Sequence, residues 1–203
     1  MNGYEKRTKL KKDSIISAAW ELFSKRGITD VGISEIAANA KVSQVSIYNY
    51  FGDKNTLAKE VLVSYLDKAI KGYDEILERE IPFSEKLKII MDKKHDATAE
   101  LSRSAFSKYA WEDKILQQVY KEAANSKAIA VYNKFIELGK KEGAIDRSIP
   151  DDAILAFLLS SVSIIEQSGY LKTSPEYKMG ILKLFFYGLL GKEEQLTLQV
   201  DHK

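Results

Sequence analysis

The chain has no cysteine, which excludes disulfides, a thiolate nucleophile and thiolate metal sites. Only two of its 203 residues are histidine, His95 and His202. That is too few for a multi-histidine metal centre and a poor basis for a Ser-His-Asp arrangement. There are three prolines, and no alternating stretches closed by turn residues, so a β-sandwich or barrel is not expected. No run of about 18 or more uncharged apolar residues occurs, so no membrane span is expected. The N-terminus, MNGYEKRTKLKK, lacks an apolar secretory core. No glycine-rich phosphate loop is present. These absences point away from an enzyme or a metal- or cofactor-dependent protein, and toward a cytoplasmic one. Apart from them, the composition is that of an ordinary globular chain, 45% apolar and 30% charged.

Charge is unevenly spread. Residues 1–59 hold ten Lys/Arg against six Asp/Glu, while the remainder holds 21 against 23. A basic end on a slightly acidic body suits a polyanion at one end only. Within the basic end, ISEIAANAKVSQVSIYNYF (33–51) reads as two short helices across a tight bend. Ile33, Ile36, Ala37 and Ala40 form one apolar stripe. Lys41-Val42-Ser43 interrupts it, and Ser43 is a good N-cap for a second helix from Gln44 to Phe51. This is a helix-turn-helix layout, whose second helix enters the DNA major groove.

The segment IAANAKVSQVSIYNYFGDKNTL (36–57) resembles the DNA-binding segment of TetR-type transcriptional regulators. Upstream, Ala18-Ala19-x-Glu21-Leu22-Phe23-x-x-x-Gly27 matches that family's first helix and its end. The most specific part is I-Y-N-Y-F-x-x-K-x-x-L, from Ile47 to Leu57. Three positions depart from the family pattern. Lys41 stands where glycine is usual, which raises the conformational cost of the turn. Val31 and Gly32 stand where threonine is frequent, with Thr29 displaced upstream. Val45 stands where glycine is frequent, which should change base preference rather than fold.

Reading residue chemistry, Gln44 suits adenine, Val45 a thymine methyl, and Ser46 several base edges, with Asn49 on the same outer face. The resemblance implies that Tyr48 and Lys54 hold backbone phosphate; Ser43, Thr29 and Lys9 are weaker candidates. It also implies double-stranded operator DNA as partner, a small-molecule effector, and a homodimer acting as a repressor.

Elsewhere the pattern is helical. Residues 1–9 read as a flexible basic arm, either solvated or gripping DNA. A first helix spans about Lys11 to Arg26, buried through Ile15, Ile16, Ala19, Leu22 and Phe23. Trp20 is either core or a contact to the following domain. A helix from about Lys54 to Glu80 changes its apolar side partway: Leu57, Val61 and Tyr65 first, then Leu66, Ile70, Tyr73 and Leu77. It therefore serves two cores. Further helices are expected over about 83–109, 114–142, 150–170 and 174–190. The last two are rich in Leu, Ile and Phe interspersed with Ala156, Ser160, Ser161, Gly180 and Gly188. They are either fully central or a subunit interface.

The expected architecture is all-α. An N-terminal three-helix helix-turn-helix domain (1–53) precedes a C-terminal helical ligand-binding and dimerisation domain (54–191) and a polar tail (192–203). Candidates to line a pocket for a hydrophobic effector are Tyr73, Met91, His95, Phe106, Tyr109, Trp111, Tyr120, Phe135 and Glu166. Glu166 interrupts an apolar run, so it must pair, meet water, face a cationic ligand or lie at a dimer edge. The competing class is a helical small-molecule carrier or interaction module whose helix-turn-helix is only a packing unit.

Overall fold

The computed structural model describes residues 2–165, 169–170 and 173–190. Among them the regular elements are all helices: α1 (Gly3–Arg26), α2 (Ile33–Ala40), α3 (Gln44–Phe51), α4 (Lys54–Leu77), α5 (Phe83–Arg103), α6 (Ala105–Ala110), α7 (Lys114–Lys141), α8 (Asp151–Ile165) and α9 (Pro175–Leu190). No helix of the described residues is long and apolar enough to cross a membrane.

The N-terminal arm is helical rather than loose. Asn2 Oδ1 accepts from the N–H groups of Tyr4 and Glu5, and Glu5 Oε2 accepts from Asn2 N–H at 2.9 Å. This capping box satisfies the free donors of a helix start. It moves the start of α1 from the expected Lys11 back to Gly3.

Among the described residues, those within 1–69 and 100–124 form one compact unit, and those within 70–99 and 125–203 a second. Helices α4, α5 and α7 each run through both. The first unit extends past the expected boundary at residue 53. Leu57, Ala58, Val61 and Leu62 of α4 join the core of Ile15, Ala19, Phe23, Ile36, Ile47 and Phe51. Helix α6 closes that core through Phe106, whose ring lies 5.8 Å from Phe23. Ser104 ends α5 and caps α6, its hydroxyl accepting from Ser107 N–H, so the expected continuous helix over 83–109 is broken. Trp20 belongs to this core, stacked on Tyr65 at 4.6 Å and edge-on to Phe106 at 5.8 Å.

The second unit is built around Ile76, Leu77, Phe83, Leu87, Ile90, Met91, Phe135, Ile136, Ile145, Ile154 and Leu158. The change of side along α4 is therefore present: Leu57 and Val61 serve one core, Ile76 and Leu77 the other. Lys86 is buried, and its ammonium donates to the Leu77 carbonyl at 2.9 Å, closing the end of α4. The AIAVYNKFIEL stretch of α7 is less enclosed than its composition suggests: Phe135 and Ile136 are buried, but Ile129 is exposed. Helices α8 and α9 pair through Phe157 and Phe185, stacked at 4.5 Å.

Candidate nucleic-acid interface

Helices α2 and α3 are eight residues each. Helices that short are marginal alone, so packing must hold them. Ile36 and Ala37 on α2, and Ile47 and Phe51 on α3, provide it. Burial of the isoleucine and phenylalanine side chains contributes roughly 1.5–3 kcal/mol each.

The turn between the helices has a Schellman geometry. Val42 N–H donates to the Ala37 carbonyl at 3.0 Å and Lys41 N–H to the Ala38 carbonyl at 3.2 Å. This requires Lys41 to adopt φ 56, ψ 44, left-handed backbone that glycine adopts without cost. The remaining Ala40 carbonyl accepts from the Ser14 hydroxyl of α1 at 3.0 Å. The turn is thus tied to α1 despite its strained residue.

With Ile47 and Phe51 turned inward, the opposite face of α3 is bare. Gln44, Val45, Tyr48 and Asn49 are all exposed, Val45 at 65% and Tyr48 at 50%. Their spacings of three and four residues put them on one side of the helix. Ser43 and Ser46 stand apart from this set. The Ser43 hydroxyl caps α3 by accepting from Ser46 N–H at 3.1 Å, and the two hydroxyls are 2.9 Å apart. Both are engaged with each other at the helix start. Thr29 is exposed in the α1–α2 loop, and Lys9 is paired with Asp13 at 2.8 Å.

Lys54, expected to hold phosphate, is engaged within the protein. Its ammonium donates to the carbonyls of Ile28 at 2.9 Å and Val31 at 3.1 Å, which engages two of its three donors within the protein. Arg26 was not singled out from the sequence. Its guanidinium pairs with Glu35 and donates to the Asp30 carbonyl. Glu35 Oε1 also accepts from Gly32 N–H at 3.0 Å. The hydrogen bond from Arg26, then that from Gly32, hold the Glu35 carboxyl below its ordinary range. Only the Gly32–Glu35 half of this arrangement carried a local signal, the three-residue spacing of a capping box. Lys12 also went unnoticed; its ammonium lies 5.8 Å from the Tyr50 ring and 6.0 Å from that of Phe51.

The eight described effector-site candidates divide between the two units. Phe106, Tyr109, Trp111 and Tyr120 belong to the core of the first unit, because α6 and the start of α7 fold against α1 and α4. In the second unit Met91 and Phe135 are buried in the core, with Phe135 4.9 Å from the Phe83 ring. Tyr73 packs at its margin with the Lys93 and Lys94 ammonium groups 5.8 and 5.9 Å from its ring, and His95 is exposed. Glu166 lies outside the described residues, as does the 192–203 tail.

A small all-α core that seals one face of an eight-residue helix and bares the other, across a tight turn, defines a helix-turn-helix domain. Residues 15–61 match the profile of bacterial regulatory proteins of the tetR family. It is 36% identical over 104 residues to the HTH-type transcriptional regulator HbdR of Aromatoleum sp., covering 48% of this chain and 45% of that protein. The chain thus matches less than half the length of that relative. It is 24% identical over 152 residues to the HTH-type transcriptional repressor KstR2 of Rhodococcus jostii, covering 73% and 74%. The fold is similar to that of the FadR regulator of Bacillus subtilis, solved in complex with stearoyl-CoA. There the TM-score is 0.59 at 18% identity, over 87% of this chain and 98% of that one.

Proposed function

We propose that the protein is a ligand-responsive, DNA-binding transcriptional repressor acting in the cytoplasm as a homodimer. The observation that carries this reading is the bare Gln44–Val45–Tyr48–Asn49 face of α3, held by a sealed core behind it. An amide donor–acceptor, an apolar branch and a phenol suit adenine, a thymine methyl and a phosphate or base edge respectively. Thr29 and the cap of α3 lie at positions suited to phosphate, and Ser43 and Ser46 contribute through the cap.

A second copy is supported by α8 and α9. Phe157 is 40% exposed, Tyr177 48% and Leu184 69%, with Ala153, Ala156 and Ser160 also exposed on α8. Small residues between large apolar ones permit close approach of a partner helix pair. A two-fold dimer would carry two copies of α3 to an inverted-repeat operator, with half-site centres about 34–36 Å apart or a multiple of it.

The effector is a hydrophobic small molecule held in the second unit, in the region of Tyr73, Met91 and Phe135. The stearoyl-CoA bound by a protein of similar fold supports a ligand of that polarity. Helix α4 belongs to both cores and is the element through which occupancy would bias the DNA-reading unit. The effector must bind the released and the DNA-bound conformations with different affinity for this to operate.

The test is selection from a pool of randomised duplexes, followed by titration of the selected duplex and a scrambled one. Tighter, salt-dependent binding of the selected duplex is expected. Equal binding of both would leave the helical carrier as the better reading.

A further inference from the structure

The three carbonyls of Ile28, Asp30 and Val31 lie in the segment between α1 and α2, and each accepts from a cationic side chain. Lys54, the first residue of α4, takes Ile28 and Val31. Arg26, the last residue of α1, takes Asp30 and also pairs with Glu35 in the first turn of α2. Two cations thus tie the end of α1, the start of α2 and the start of α4 around one loop.

The location of Lys54 is informative. A cation at the first position of a helix sits at the positive end of its dipole, which is unfavourable. Here the ammonium donates to two carbonyl oxygens. Between its ends, which Gly27 N–H to the Phe23 carbonyl and Gly32 N–H to Glu35 fix, the loop's backbone bond from Val31 N–H to the Ile28 carbonyl is long, at 3.4 Å. Ile28 and Val31 side chains are buried beneath, and Thr29 and Asp30 are exposed above. The two cations therefore set where the loop enters α2, and α2 carries α3 through the Schellman turn.

We propose that Lys54, with Arg26, is a positioning residue for the recognition helix and not a phosphate ligand. This rests on the DNA-binding reading given above. Each role leaves a different signature. A phosphate ligand contributes to all sequences alike, and its loss lowers the salt slope by about 0.9 per contact, or about 1.8 for two copies in a dimer. A positioning residue acts through the fit of α3 to base edges. Its loss lowers affinity for the preferred sequence, spares non-specific binding and leaves the slope unchanged.

The experiment titrates the duplex selected by the wild-type protein, and a scrambled duplex, across a salt series with wild type, Lys54→Met, Lys54→Gln and Arg26→Met. Assays run well below the thermal midpoint of each variant, so loss of fold is not read as loss of binding. The expected result for Lys54→Met and Arg26→Met is a fall of about tenfold in the ratio of selected to scrambled affinity, with the slope unchanged. Lys54→Gln, whose uncharged amide still donates to a carbonyl, should recover part of that ratio. A lowered slope with equal loss on both duplexes would overturn the proposal in favour of phosphate contact. An unchanged ratio in a destabilised but folded variant would overturn it in favour of a purely structural role. Failure of the wild type to discriminate the duplexes would sink the DNA-binding reading itself, and this inference with it.

Discussion

The two units keep their exposed apolar groups differently. In the first, α2 and α3 turn their large aliphatic side chains inward, and the apolar groups left bare on α3 are Val45 and Tyr48, beside Gln44 and Asn49. In the second, Phe157, Tyr177 and Leu184 are bare on α8 and α9, next to alanine, serine and glycine. A surface with isolated apolar groups among amides suits a polar, hydrated partner whose base edges need both kinds of contact. A face of Leu and aromatic side chains among small residues suits a helix pair of similar composition. The contrast fits the proposal that one face meets nucleic acid and the other a second copy.

Charging the α8–α9 face gives the largest expected effect. Leu184→Asp should convert the dimer to monomer in sedimentation velocity and weaken operator binding by about a hundredfold, since the two half-sites would no longer be engaged together. A variant that stays dimeric would move the interface elsewhere. Next is the interior of the second unit. A Cβ added at Gly139 would lie 2.6 Å from Ile145 Cδ1 and 2.9 Å from Phe83 Cζ. Gly139→Ala should therefore lower the unfolding free energy by about 1–3 kcal/mol in urea denaturation, as overpacking does.

On the DNA-reading face the effect is confined to binding. Tyr48→Ala should weaken association with all duplexes by about tenfold while leaving the thermal midpoint near that of wild type, because its ring is half exposed and closes no core. A matching fall in stability would mean that Tyr48 is a packing residue. Smaller still, and of opposite sign, is Lys41→Gly. It relieves the left-handed strain at φ 56 and should raise stability by roughly 0.5–1 kcal/mol. The turn tolerates lysine because Ser14 and the Schellman bonds hold it.

Acid should loosen the first unit through Glu35. Arg26 and the Gly32 N–H depress its folded value below 4.5, so the contribution is complete above that pH and is lost as pH falls through the depressed value. Glu35→Gln should flatten that acid limb in a pH series of urea melts, lowering stability near neutrality and leaving it nearly unchanged in acid.

Local patterns made much of the first unit readable from sequence. The buried side of α1, the Ser43 cap and the change of face along α4 all follow from spacing within one helix. What escaped depends on partners far along the chain. Lys54 is 23 and 26 residues from the carbonyls it binds, and no periodicity links them. Phe106, Tyr109, Trp111 and Tyr120 have the composition of a pocket wall, but long-range packing of α6 on α1 places them in the first core. The Asn2–Glu5 capping box was present as a spacing and was masked by the surrounding charge, which reads as a solvated arm.

The most direct test of the account is a base-preference map: affinities of wild type, Gln44→Ala and Val45→Ala for every single-base change in a selected half-site. The account predicts that each substitution relaxes discrimination at one or two adjacent positions and leaves the others as they were. Identical maps for all three proteins would contradict it, because the exposed face of α3 would then have no part in reading sequence.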